Sequence, residues 1–239
     1  MLVAAAVCPC PPLLVPEVAG GAAGELDGAR AACADALGVL AAARPSRLVV
    51  VGPALGAARG AYPEGSPGSF HGFGVDLGVR LGRATVPAPE DGRELPPSLA
   101  VAAWLLAEQS WHAAPVEGLG IAETLERRSC ADTGAELAIR TERLALLIMG
   151  DGSACRTPKA PGAFDERAAA FDADAAAALG RADTAALDGL DAELARELRV
   201  AGRSGWQLLA GAARGAGLGG ALLYDEAPYG VGYFVATWS

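Results

Sequence analysis

Residues 47–52 read Arg-Leu-Val-Val-Val-Gly, entered after Pro45 and left at Gly52-Pro53. Four successive apolar residues, three of them β-branched, suit a short strand buried on both faces. The chain opens with a second run of this kind, MLVAAAV at residues 1–7, which stops at Cys8-Pro9. Between the two lies an Ala-rich stretch, residues 17–43, with charges at Glu17, Glu25, Asp27, Arg30 and Asp35. It reads as helix despite the Gly20-Gly21 interruption. Strand, helix and strand at this spacing make a βαβ unit, and that predicts a parallel sheet with a right-handed crossover.

The same reading extends along the chain. Residues 56–72 are rich in Gly, Pro and Ser and predict a long loop, and residues 73–87 alternate weakly enough for one or two strands. Pro96-Pro97 starts a helix over 97–112. Strands are expected at Ala114-Pro-Val-Glu-Gly and at Arg143–Gly150. Helices follow from about Phe164 to Leu179, from Thr184 to Arg199 with Asp183 as N-cap, and over 203–214. Residues 219–238 predict two strands around a Pro-Tyr-Gly turn. No internal repeat or linker interrupts the pattern. The expectation is one α/β domain over residues 1–239, with a central, mostly parallel sheet flanked by helices.

Composition narrows the function. The chain has 239 residues, 52% of them hydrophobic, enough to bury a full core. A net charge of -9 excludes a nucleic-acid groove, which needs clustered cations to release phosphate counterions. Lys159 is the only lysine. No run reaches the length of a membrane helix, and the first residues lack the basic segment of a signal peptide. A cytoplasmic protein is expected, with Cys8, Cys10, Cys33, Cys130 and Cys155 as reduced thiols.

In open parallel sheets, ligands bind beyond the carboxyl ends of the strands. Four points of the sequence fall there: Cys8-Pro9-Cys10-Pro11, Gly52-Pro53-Ala54, Gly150-Asp151-Gly152-Ser153-Ala154-Cys155, and Asp225-Glu226-Ala227-Pro228. Asp151 and Ser153 form no hydrolase triad without a suitably placed histidine. Gly-Asp-Gly-Ser-Ala lacks a phosphate-loop or dinucleotide fingerprint and reads as a turn. His71, beside Phe70 and Phe73, and His112, beside Trp111, read as partly exposed loop or cap residues; His71 is retained as a pocket candidate.

Several of these segments together resemble one family. Cys-Pro-Cys-Pro-Pro-Leu-Leu-Val-Pro-Glu-Val (8–18) is similar to the N-terminal Pro-His-Pro-Pro-Leu-Leu-x-Pro-Glu motif of the class III extradiol ring-cleavage dioxygenase catalytic subunits, a superfamily that includes Memo-like proteins. Val49-Val-Val-Gly-Pro-Ala-Leu-Gly56 resembles their strand ending in Pro-His-Gly. Ser69-Phe-His-Gly-Phe-Gly-Val-Asp-Leu-Gly78 resembles their Gly-Asp-Phe-x-x-Phe-Gly segment. Met149-Gly-Asp-Gly-Ser-Ala-Cys155 is similar to their strand ending in Ser-His. Tyr224–Trp238 resembles their Tyr-Glu-Ala-Pro-x-Gly-Val-Gly-Tyr. The likeness spans the chain in the family's order, and its first and last motifs are the most specific.

The resemblance implies a non-haem Fe(II) site, with two imidazoles and a carboxylate on the metal and a further histidine as acid/base. Carried onto this sequence, the imidazole positions hold Cys10 and Ala54, and the acid/base position holds Ala154. Only the carboxylate, Glu226, is in place. An alanine donates no lone pair, and one thiolate with one carboxylate makes a poor iron site. The expected protein is therefore a family member with lost or altered catechol cleavage, its pocket drawn from Cys8, Cys10, Ala54, His71, Asp151, Ser153, Ala154, Cys155 and Glu226. Two alternatives stand beside it. One is a non-catalytic small-molecule-binding or assembly protein. The other is a thiol or metal site on Cys8, Cys10, Cys155 and Glu226, for zinc or copper(I). A homo-oligomer or a small partner subunit, as some family members have, is compatible with either.

Overall fold

The computed structural model describes residues 1–83, 86 and 92–239. The strands are β1 (Leu2–Cys8), β2 (Arg47–Pro53), β3 (Gly60–Tyr62), β4 (Pro67–Ser69), β5 (Gly78–Arg80), β6 (Val116–Ile121), β7 (Leu144–Met149), β8 (Gly220–Glu226) and β9 (Tyr233–Trp238). The helices are α1 (Pro16–Ala19), α2 (Asp27–Ala42), α3 (Pro97–Glu108), α4 (Arg127–Arg140), α5 (Ala168–Gly180), α6 (Thr184–Asp188), α7 (Ala192–Glu197) and α8 (Arg203–Ala212).

Seven strands form one sheet in the order β3-β6-β2-β7-β1-β9-β8, and β4 pairs with β5 apart from it. The inner four, β6, β2, β7 and β1, run parallel. The flanking β3, β9 and β8 are antiparallel to their neighbours. The expected α/β architecture is thus the observed one.

Alternation along β1 divides the core. Ala4, Ala6 and Cys8 join the layer under α2 and α3, whereas Leu2, Ala5 and Val7 join the layer under α5 and α8. Both layers are fully buried, which is why β1, β2 and β7 read as continuous apolar runs rather than alternating ones. On the second face, α4 and α8 pack backbone to backbone: a Cβ added to Gly134 would lie 2.0 Å from the Leu208 carbonyl oxygen. No side chain but hydrogen fits there.

Several elements differ from the sequence reading. The helix expected over 17–43 is broken: α1 ends at Gly20, whose φ of 55° lies in the left-handed region, and a 3-10 segment fills Gly20–Leu26 before α2 begins. The helix expected over 184–199 is two, α6 and α7. Asp183 caps the first by accepting from Ala186 N at 2.9 Å, and Asp191 caps the second from Glu193 N and Leu194 N. Helix α4 is an element the sequence reading missed. The loop expected over 56–72 contains β3 and β4, and β5 falls within the weakly alternating stretch. The remainder of that stretch includes 84, 85 and 87, which lie outside the described residues.

Among the described residues no helix is long and apolar enough to cross a membrane.

Candidate functional site

Parallel pairing places the carboxyl ends of the inner strands at one margin. Cys8 stands opposite Met149, and Pro53 opposite Ile121. The chain then turns: Gly150 N donates to Cys8 O at 3.0 Å, and Ala54 N to Ile121 O at 2.7 Å. Strand β9 runs the other way, so its first residue, Tyr233, arrives at the same margin.

Cys10 and Asp151 are joined directly. The Cys10 main-chain N–H donates to Asp151 Oδ1 at 2.8 Å. Asp151 is half-buried. Burial pushes its carboxyl up to about 7, against the opposing Cys10 hydrogen bond and with a further push from the Glu123 charge. Burial also raises the Cys10 thiol well above the ordinary thiol range, and Asp151 and Glu123 raise it further. The Tyr233 hydroxyl is raised by burial first and by Asp151 next. Glu123 follows β6, and burial raises its carboxyl too. Cys10, Asp151, Glu123 and Tyr233 therefore form one electrostatic neighbourhood whose groups favour their protonated forms.

Cys8 lies below this margin in the core. Its thiol is raised well above the usual range, first by contact with the Cys33 thiol and then by burial. All five cysteines are buried and free.

Ser153 is fully buried and turns away from the margin. Its N–H donates to Asp172 Oδ1 and its hydroxyl to Asp172 Oδ2, both at 2.8 Å. Arg156 Nη1 reaches the same Oδ2 at 3.1 Å. Asp172 is 1% exposed and clamps the β7–α5 loop. Burial pushes its carboxyl up, opposed by these three hydrogen bonds. The clamp is structural, and sequence reading gave no sign of Asp172.

The thiol–metal alternative needs correction. Cys155 lies on the opposite face of the sheet from Cys8 and Cys10, with its thiol on the Leu198 carbonyl at 3.5 Å. Glu226 ends the edge strand β8, is exposed, and accepts from the Tyr224 hydroxyl at 3.2 Å. Strands β1 and β8 are separated by β9, so their axes stand about 10 Å apart. Cys10 and Glu226, the pair considered for metal, thus stand on strands that flank β9, with the Glu226 carboxylate engaged by the Tyr224 hydroxyl. Ala54 on the far side lies four inter-strand spacings from β8, roughly 19 Å. Among the described residues no group of three or more His, Cys, Asp or Glu side chains is gathered to hold a metal ion.

The remaining candidates are placed as follows. Ala54 is 3% exposed at the end of β2. Ala154 packs against the same core layer as Cys10. His71 is exposed in a 3-10 turn and pairs with Asp76 Oδ1 at 2.7 Å. His112 is likewise exposed, at 2.8 Å from the Ser110 carbonyl.

The residues present do not fit the Fe(II) centre that the family resemblance implies. Two of the positions are methyl groups that donate no lone pair, which leaves only the Cys10 thiol and the exposed Glu226 carboxylate of the set.

No protein-family model and no curated protein matches the chain. Solved structures do. The chain is similar to an uncharacterized protein from Escherichia coli K12, with a TM-score of 0.54 and 12% sequence identity, covering 99% of this chain and 100% of that one. At that identity the likeness is one of fold.

Proposed function

We propose that this chain is a divergent relative of the class III extradiol dioxygenase catalytic subunit that has given up Fe(II)-dependent catechol cleavage and uses its strand-end site to hold a small molecule without chemistry on dioxygen. One observation carries this reading: the imidazole positions hold Cys10, Ala54 and Ala154, and the ionisable group standing beside Cys10 is Asp151, a carboxyl poised near neutrality. A protonated carboxyl both donates and accepts hydrogen bonds, so the site suits a polar, uncharged or weakly basic group. With alanine at two of the imidazole and acid/base positions, Ala54 and Ala154, too few nitrogen donors are present for tight Fe(II) binding.

The test is anaerobic loading of the full chain with Fe(II), metal analysis after desalting, and oxygen uptake with a panel of catechols. The expected outcome is far less than one iron per chain and no catechol-dependent uptake. Stoichiometric iron with ring-cleaved product would overturn the reading.

A further inference from the structure

The two edges of the seven-stranded sheet are finished differently. At one edge stands β3, only three residues long. Arg93 covers it. Its Nη1 donates to Ala57 O at 2.6 Å and Arg59 O at 2.8 Å, and its Nη2 to Ala61 O at 3.1 Å. The guanidinium lies 4.2 Å from the centre of the Tyr62 ring. A strand this short, with a cation on its carbonyl, is a poor template for another chain.

At the other edge stands β8, seven residues long and paired with β9 alone. Among the described residues, no main-chain group of Ala221–Glu226 bonds to main chain outside that ladder. Helices shield the faces of β8 but not its rim. A Cβ added to Gly180 of α5 would lie 3.1 Å from Leu222 Cβ, and one added to Gly28 of α2 would lie 3.5 Å from Tyr224 Cε2. Residues two apart on a regular strand face the same way. These two face opposite helices because a bulge between them inserts Leu223. Leu222 and Leu223 remain 38% and 41% exposed at the middle of the strand.

The make-up of β8 selects its partner. Edge strands are commonly protected by lysine or proline. Gly220–Glu226 contains no lysine, arginine or proline, and its two charges, Asp225 and Glu226, sit together at one end. A parallel copy would lay each carboxylate against its own equivalent, and like charges directly opposite destabilise a sheet. An antiparallel copy, turned about a two-fold axis at the Leu222–Leu223 step, lays leucine against leucine. It also sets Asp225 and Glu226 beside Gly220 and Gly219. The two Asp225 carboxylates then stand about five residues of strand apart, or ~17 Å, beyond the ~8 Å screening length of physiological salt. A bulge bends an edge; placed at the axis, it bends both copies alike and leaves them complementary.

We propose that β8 pairs antiparallel with β8 of a second copy of this chain, so that two seven-stranded sheets continue as one across a two-fold axis. The contact uses each β8 once, and assembly closes at two chains.

The test is sedimentation velocity of the full chain over a range of concentrations, with cross-linking as a second readout. The wild type should move to twice its 23.9 kDa chain mass as concentration rises, and no further. Leu223→Lys sets two cations together at the axis and should raise the dissociation constant at least about ten-fold. Ile139→Lys, on α4 and 85% exposed, should leave the dimer unchanged. The five native cysteines are buried, so an introduced thiol reports on the contact. Under mild oxidation Leu223→Cys should give a covalent dimer. Asp225→Cys should not, because a disulfide needs Cα atoms within about 7 Å. A single-chain mass at every concentration would overturn the proposal. So would a dimer that Leu223→Lys leaves intact, or one that Asp225→Cys cross-links as readily as Leu223→Cys.

Discussion

The main-chain N–H of Cys10 is hydrogen-bonded to Asp151 Oδ1 at 2.8 Å, across 141 residues of sequence. This one bond ties the turn after β1 to the turn after β7 and sets a carboxyl beside a thiol. Both groups prefer to keep their protons there, for the same reason: burial disfavours their charged forms.

Asp151 makes stability depend on pH with a defined sign. Its folded value, about 7, lies above the ordinary carboxyl value of 3.8. The folded state therefore binds this proton more tightly, and the contribution is fully present below about pH 4 and lost as pH rises through 7. Asp151→Asn keeps an oxygen acceptor for Cys10 N–H and removes the titration. In urea unfolding the variant should match wild type only below about pH 4, gain on it by about 1.4 kcal/mol per pH unit between about 4 and 7, and hold a constant lead above that. A pH-independent difference between the two proteins would contradict the assignment.

Asp172 serves a different purpose. Replacing it with alanine leaves the Ser153 hydroxyl, the Ser153 N–H and the Arg156 guanidinium without their acceptor in a buried place. A loss of about 3 kcal/mol is expected in chemical denaturation, with a smaller loss for Asp172→Asn. A change within 0.5 kcal/mol, the range of an ordinary surface substitution, would mean that the clamp does not hold the loop.

Gly134 tests the seam between α4 and α8. An added methyl meets Leu208 O at 2.0 Å and Ala212 N at 2.8 Å, both main-chain atoms. Glycine to alanine in an exposed helix normally stabilises by a few tenths to about 1 kcal/mol. Here Gly134→Ala should instead destabilise by about 2–3 kcal/mol, read as a lower melting temperature. A stabilised variant would refute the close approach.

The thiols give the quickest check. All five are buried, and burial raises Cys10, Cys130 and Cys155 above the ordinary range, Cys130 to about 11. A thiolate-selective reagent at pH 8 should label fewer than one cysteine per native chain within minutes and all five in denaturant. Rapid native labelling of Cys10 would show that its thiol is ionised in the folded chain.

The parts that could be read from sequence are those where apolar residues do the burying. Leu48–Val51 and Leu144–Met149 announce themselves as strands because both faces are covered. Asp183 was recognisable as a cap because its side chain acts locally. Helix α4 was not, since its buried face consists of Cys130, Ala131 and Gly134, and small residues carry little hydrophobic periodicity. The split between α6 and α7 hid behind a charge pattern that continues across Gly189-Leu190-Asp191. At the strand ends, the sequence placed Cys10, Ala54 and Asp151 at turns after parallel strands, which needs only strand direction. It misjudged Cys155, because sheet face is a tertiary fact. Asp172 gave no signal: it looks like an ordinary helix residue until its neighbours are known.

The pairing of β1 bears on how the chain is made. This strand's partners are β7 and β9, residues 144–149 and 233–238. A ribosome releases β1 long before either partner, so an apolar segment ending in Cys8 must wait, unpaired, until β7 has emerged. Nascent chains of this protein should lean on a holdase for that interval, and the β1–β9 pairing should close only once β9 has emerged.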